Sequence, residues 1–179
     1  MNTKNNRRKR ASMQKIERVL VELLQTKELN QIRVSDICKK AGINRSTFYA
    51  HYEDIYGLAD AIKEKLEAQV AELYKDEISK GYNSNNYLIL FQHIAQNQIF
   101  YRTYFKLGYD EKYQILAYDR KLAQKHLDNR FIEYHMEFFK SGLTRIIKLW
   151  LQNGCRETPE EMLEILKSEY RGREALFAE

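Results

Sequence analysis

Arg45, Thr47 and Tyr49 stand at alternate positions in the run NRSTFYAHY, and each could form hydrogen bonds with DNA. An arginine fork matches a guanine edge or a phosphate, and threonine suits a thymine methyl or a base edge. Tyr49 and His51 are residue types that bind phosphates. Ser46 lies in the same run. Together these side chains could read a duplex if one element presented them on one surface.

The surrounding residues predict two short helices joined by a glycine turn, which would present that surface. Gly42 is expected to end the first helix, because glycine adopts positive φ easily. Asn44 could cap the second helix, with Ile43 and Phe48 turned inward. The first helix has apolar residues at the spacing of one helical face: Val34, Ile37, Cys38 and Ala41. This is the pattern of a helix-turn-helix, whose second helix enters the major groove by its N-terminal end.

The run AGINRSTFYAHY, with IC four residues before its glycine, is similar to the TetR-type bacterial regulators. That family ends its recognition helix in a Phe-Tyr-x-His-Phe/Tyr pattern, and the resemblance covers roughly residues 8–66. It implies an all-α fold with a three-helix DNA-binding domain over residues 1–52 and a helical regulatory and dimerisation domain over 53–179. It also implies a sequence-specific transcriptional regulator, namely a ligand-responsive homodimeric repressor on a palindromic operator.

Two positions depart from the family pattern. Arg33 replaces the Thr or Ser that often precedes the second helix, so Ser35 could serve as its cap, with Asp36 favourable at the positive helix end. Ile55 replaces a lysine that commonly pairs with a phosphate. The expected DNA-binding residues are Arg8, Arg10, Arg33, Ser35, Lys39, Arg45, Ser46, Thr47, Tyr49 and His51.

Positive charge is concentrated in the first third of the chain. Residues 1–52 contain twelve Lys and Arg against four acids, a net of +8, whereas the whole chain has +5 and the remainder therefore −3. Such an excess around a helix-turn-helix is typical of phosphate binding, and a solvated basic tail is the alternative for residues 1–10. Those ten residues are predicted to be disordered before DNA is bound.

The first and the long connecting helices are predicted from apolar spacing. Residues 11–25 would form the first, with an inward stripe and with Glu17 on the opposite, polar face. Asp54 would cap the connecting helix, which extends to about Ile78, and the cluster GYNSNN at 81–86 predicts a loop.

Fourteen of the 22 aromatic residues lie between Tyr82 and Phe139. They could simply pack a core, or they could line an apolar pocket for a small-molecule effector. The expected pocket residues are Tyr87, Phe91, His93, Phe100, Tyr104, Tyr134 and Phe138. A structural, hydrogen-bonded role is the alternative for His93.

Residues 131–151 predict a strong helix, and Thr158-Pro159-Glu160-Glu161 predicts the start of another through a capping box. The run GLTRIIKLWLQNGCRETPEEM resembles the C-terminal helices of a Firmicutes-type branch of the family, where two helices per chain form a dimeric four-helix bundle. By that resemblance the dimer interface would contain Phe139, Leu143, Ile147, Trp150, Met162 and Leu166. The branch includes regulators near dihydroxyacetone metabolism.

Several other classes of protein are disfavoured. The two cysteines and four histidines follow no metal-ligand spacing, and no catalytic motif is present, so neither an enzyme nor a cofactor is expected. No apolar run suits a transmembrane span or a secretory signal, which predicts a cytoplasmic protein without membrane association. A non-specific architectural or coactivator protein with the same fold remains the alternative function, favoured by Arg33 and Ile55.

Overall fold

The computed structural model describes residues 3–80, 86–112 and 130–169, which form helices and their connections with no strand among them. The all-α prediction is confirmed. The chain divides into two compact units, Met1–Ala68 (unit 1) and Gln69–Glu179 (unit 2). Within the described ranges, no helix combines the length and apolar character needed to cross a membrane.

Unit 1 is built from three helices and most of a fourth around one apolar core. Its elements are α1 (Thr3–Leu23), a 3-10 turn (Leu29–Gln31), α2 (Val34–Ala41), α3 (Arg45–Tyr49) and the greater part of α4 (Ile55–Leu73). The completely buried apolar side chains come from every α-helix of the unit and from the residue after α1: Ile16, Leu20, Val21, Leu24, Ile37, Phe48 and Leu58. Each such side chain contributes about 1.5–3 kcal/mol, so α1 supplies the apolar surface that α2 and α3 are too small to provide.

Helix α1 differs from the prediction at both its start and its polar face. It begins at Thr3, where a disordered arm was expected, because the run of Lys and Arg has good helix propensity and contains no Gly or Pro. Glu17 was expected on the exposed face but is 5% exposed. Its carboxylate accepts hydrogen bonds from the Tyr52 hydroxyl (3.2 Å) and from Lys65 Nζ on α4, which makes its burial possible.

The turn between α2 and α3 follows the glycine prediction. Gly42 adopts φ 66°, and the backbone N–H of Ile43 donates to the Cys38 carbonyl at 3.0 Å. Two cap predictions need correction. Helix α2 begins directly after Arg33, whose N–H donates to Asp36 Oδ2 at 3.2 Å, so Ser35 lies inside the first turn. Asn44 precedes α3, but its backbone carbonyl rather than its side chain accepts the first hydrogen bonds.

Helix α4 starts as predicted and ends earlier. Asp54 Oδ1 accepts from the Gly57 N–H at 2.7 Å, which confirms the cap. The helix stops at Leu73, and a separate helix α5 (Lys75–Lys80) follows. The division between units falls inside α4, after Ala68, whereas the predicted domain boundary lies before it. The predicted loop at 81–86 falls outside the described residues except for Asn86.

Unit 2 contains α6 (Tyr87–Gln96), α7 (Gln98–Lys106), a 3-10 turn (Tyr109–Lys112), α8 (Ile132–Gln152) and α9 (Pro159–Ser168). Helix α6 packs against α9, and α7 packs against α8. Trp150 is 2% exposed, contacts Phe91 edge to face at 5.8 Å, and donates from Nε1 to the Glu157 carbonyl at 3.0 Å. The capping box at Thr158 is confirmed, since Thr158 and Glu161 each accept from the other's backbone N–H.

The predicted dimer residues are placed differently by the structure. Four of them are between 2% and 6% exposed within a single chain: Ile147, Trp150, Met162 and Leu166. Phe139 and Leu143 are half-buried. The large apolar side chains that α8 leaves exposed are instead Tyr134, Phe138 and Leu149, between 50% and 76% exposed. Phe131, directly before the helix, is 62% exposed. The helix is apolar around most of its circumference, so periodicity alone did not indicate which face turns inward.

The predicted pocket residues are not assembled into one enclosed lining. Phe91 is completely buried against Trp150, whereas Tyr134 and Phe138 are 76% and 74% exposed. His93 Nδ1 lies 2.8 Å from the Tyr101 hydroxyl, and burial lowers its pKa. Tyr87, Phe100 and Tyr104 are half-buried. The structure therefore gives Phe91 and His93 roles in packing and hydrogen bonding within unit 2.

Candidate nucleic-acid interface

Helix α3 presents a polar face while its other side is fixed in the core. Phe48 is completely buried, and its ring contacts Tyr52 at 5.9 Å and Tyr49 at 5.5 Å. Arg45 and Ser46 are exposed, and Tyr49 is 53% exposed. Because the buried Phe48 holds the helix in place, these three side chains extend into solvent from a fixed backbone. A helix of this kind can enter the major groove with its first turn against base edges.

The residues predicted at α2 offer further donors on the surface of unit 1. Arg33, Ser35 and Lys39 are exposed. Lys40 is also on the surface, but it pairs with Glu22 on α1 at 3.0 Å, so part of its charge is compensated. Gly42 has no neighbouring side chain against it, and its φ of 66° sets the angle between the two helices. The sequence therefore identified the exposed cations of α2 and α3 in unit 1.

A shallow notch lies between the first turns of α1 and the C-terminal end of α3. It has a volume of about 470 Å³ and is lined by Arg8, Lys9, Ser12, Thr47, Ala50 and His51. Thr47 is half-buried here, so it points towards α1 more than Arg45 does. Two cations, Arg8 and Lys9, and the Thr47 hydroxyl make the notch suitable for an anion such as a phosphate oxygen.

The sequence analysis did not identify Ser12, or the contact between α1 and the residues that follow α3. Ser12 Oγ lies 2.8 Å from His51 Nε2, although the residues are 39 positions apart in the chain. A helical continuation through residues 3–10 would have placed Arg8 and Ser12 four positions apart on one face. That signal was present in the run of Lys and Arg, which contains no helix breaker.

His51 differs from the exposed phosphate ligand predicted from its position. It is half-buried, and its Nδ1 finds no hydrogen-bond partner among the described residues. Burial, and then the charge of Lys9, lower the pKa of His51 below its usual 6.5. The imidazole is therefore neutral at neutral pH and adds no positive charge to the surface.

Among the residues with described side chains, no group of three or more His, Cys, Asp or Glu lies close enough to hold an ion. Cys38 is buried, and burial raises its pKa. Cys155 is half-buried in a positive-φ turn after α8, where burial also raises its pKa.

Comparison with known proteins gives a family match in the C-terminal half of the chain. Residues 81–169 match the family model TetR_C_8, described as a transcriptional regulator C-terminal region. Over these residues the chain is similar to the TetR-type transcriptional regulators. The family and its members compared below are regulators rather than enzymes. The resemblance inferred from the helix-turn-helix is thus confirmed through the other half of the chain.

Two similar proteins share one name. The chain is 31% identical over 110 residues to the HTH-type dhaKLM operon transcriptional activator DhaS of Lactococcus lactis subsp. lactis (strain IL1403). That match spans 62% of this chain and 57% of the relative's length. A solved structure of a dihydroxyacetone kinase operon activator DhaS aligns over 88% of this chain and 95% of that chain, with 22% identity and a TM-score of 0.48.

Proposed function

We propose that this TetR-type chain is a sequence-specific DNA-binding regulator that acts as a homodimer on a palindromic operator. The observation that supports this best is the exposed face of α3, formed by Arg45, Ser46 and Tyr49 above the buried Phe48. The net charge of +8 over residues 1–52 adds the sequence-independent attraction that DNA binding needs. A dimer would place two such faces about one helical turn of DNA apart, roughly 34–36 Å.

Substitution of Arg45 by alanine tests the proposal. If Arg45 reads a base, Arg45→Ala weakens operator binding by about 1–3 kcal/mol and leaves binding to random duplex nearly unchanged. Genomic footprinting with the purified protein supplies the operator, and titrations against operator and random duplex then separate the two cases. Arg102→Ala, which removes an exposed arginine of unit 2, is the matched control and should change neither affinity. Equal protection of random duplex would favour the non-specific architectural alternative.

The proposed dimer uses the exposed face of α8 in place of the buried residues that the resemblance implied. Tyr134, Phe138 and Leu149 recur at helical spacing on one face, and large exposed apolar patches mark interaction sites. Phe138→Ser is expected to shift the protein from dimer to monomer in sedimentation velocity. Tyr56→Ser is the control, because Tyr56 is a comparably exposed aromatic (58%) in unit 1. A wild-type monomer at all concentrations would refute the dimer.

The sign of regulation and the effector are further parts of the proposal. The resemblance predicts a repressor that responds to a small molecule, whereas the Lactococcus relative is named an activator of the dhaKLM operon. That operon is one candidate target. A reporter placed downstream of the bound site decides the sign: deletion of the regulator lowers expression under activation and raises it under repression.

A further inference from the structure

The hydrogen bond between Ser12 and His51 joins the two parts of unit 1 nearest to the notch. Ser12 lies on α1 directly after the basic turns, and His51 lies just beyond α3. The Oγ–Nε2 distance is 2.8 Å, and Ser12 Oγ is also 2.8 Å from the Lys9 carbonyl oxygen. The basic first turns of α1 are therefore connected to the C-terminal end of α3 by a chain of two hydrogen bonds.

The direction of these bonds fixes the tautomer of His51. A carbonyl oxygen can only accept, so the Ser12 hydroxyl proton goes to Lys9 O. The Ser12 oxygen then has a lone pair for His51, and Nε2 must carry the proton that it donates. Nδ1 is left as a bare acceptor, buried and without a partner among the described residues. Nε2 is thus occupied by its hydrogen bond to Ser12, and Nδ1 is enclosed by the protein.

This arrangement leaves His51 poorly suited to bind a phosphate itself. The donor nitrogen is already used by Ser12, and the other nitrogen is an acceptor that a phosphate oxygen would repel. The neighbouring cations are better placed. Arg8 and Lys9 line the same notch and are exposed, while Thr47 offers a hydroxyl from α3.

We propose that His51 is a positioning residue: through Ser12 it holds the basic first turns of α1 beside α3, so that Arg8 and Lys9 bind DNA backbone phosphates. The inference rests on the proposed DNA-binding function. It assigns the notch to phosphate binding and the imidazole to the support of that site. Loss of the Ser12–His51 bond would let the first turns of α1 move away and would weaken phosphate binding without touching the face of α3.

Binding of the full-length protein to a short mixed-sequence duplex, measured over a range of salt concentrations, tests this role. His51→Phe should reduce the salt dependence of binding by about 0.9 in log–log slope for each phosphate that the variant no longer binds. His51→Gln keeps a donor near the Nε2 position and should retain the wild-type slope. In an Arg8→Gln/Lys9→Gln background, His51→Phe should have no additional effect, because the residues it positions are already gone.

Three results would overturn the inference. One is an equal loss of salt dependence from His51→Phe in both backgrounds, which would mean that the imidazole binds DNA directly. Another is an unchanged slope in the His51→Phe protein, which would mean that His51 positions nothing. A slope in His51→Gln as low as that of His51→Phe would equally contradict a donor role.

Amide hydrogen exchange without DNA tests the positioning separately from the proposed function. Both His51→Phe and the milder Ser12→Ala should speed exchange at residues 8–12. Ser168→Ala is the matched control, because Ser168 Oγ makes the same bond to the carbonyl three residues earlier, at 2.7 Å, on α9. Unchanged exchange in both variants would refute the docking of α1. Failure of the wild-type protein to bind any duplex would instead refute the proposed DNA-binding function.

Discussion

Replacing Lys65 with methionine is expected to destabilise unit 1 through the buried carboxylate that it leaves behind. The Glu17 side chain is 7% exposed and that of Lys65 is 45% exposed. An exposed ion pair contributes about 0.2–1 kcal/mol, whereas breaking a fully buried pair costs about 3–5 kcal/mol. Because Glu17 is buried and Lys65 is about half exposed, the pair lies between these two cases. We therefore expect Lys65→Met to lower the free energy of unfolding by about 2 kcal/mol.

The Tyr52 hydroxyl makes this loss incomplete. It donates to Glu17 Oε1 at 3.2 Å, and burial followed by the Glu17 charge raises the pKa of Tyr52, so it stays a donor at all ordinary pH values. Glu17→Gln in the Lys65→Met background should recover part of the stability, because a neutral amide costs less to bury than an unpaired carboxylate. The coupling between the two substitutions should be about 1–2 kcal/mol.

Urea unfolding followed through the amide resonances of α1 measures the stability of unit 1. The control is Lys40→Met, which removes another inter-helix pair, Lys40–Glu22 at 3.0 Å, whose side chains are both at least a third exposed. It should cost under about 1 kcal/mol. The buried-carboxylate reasoning is wrong if Lys65→Met lowers the free energy of unfolding by no more than Lys40→Met does. It is also wrong if the effects of Glu17→Gln and Lys65→Met on that free energy are additive.

Three further predictions concern single residues. Gly42→Ala should destabilise unit 1 by about 1–2 kcal/mol because its φ is 66°, and an unchanged urea midpoint would contradict this. Thr158→Ala should lower the thermal midpoint of unit 2 through the loss of about 1 kcal/mol of capping, with Thr158→Ser as the conservative control. Burial lowers the pKa of His93 in the folded protein. The contribution of neutral His93 to the stability of unit 2 should therefore be complete above the unfolded pKa of 6.5, and should be lost as the pH falls towards the lower folded pKa. His93→Gln should flatten that pH dependence, and an identical slope in the two proteins would refute the assignment.

Features determined by neighbouring residues were predictable from the sequence. The turn at Gly42 follows from the conformational freedom of glycine, and the capping box at Thr158 follows from a local exchange of hydrogen bonds. The inward stripe of α1 and the burial of Phe48 follow from helical spacing. The exposure of Arg45, Ser46 and Tyr49 could therefore be predicted, because the side of α3 opposite a fixed core residue must face solvent.

Features that join distant residues were decided by the tertiary structure. Glu17 has the spacing of a surface residue, yet it is buried because Tyr52 and Lys65 come from other segments to pair with it. His51 is likewise engaged by Ser12, 39 residues away. Helix α8 offers apolar side chains on several faces, and packing within unit 2 selected Ile147 and Trp150 for burial. Local pattern specifies where helices begin, end and present polar groups, but which side chains find partners depends on contacts that only the folded chain creates.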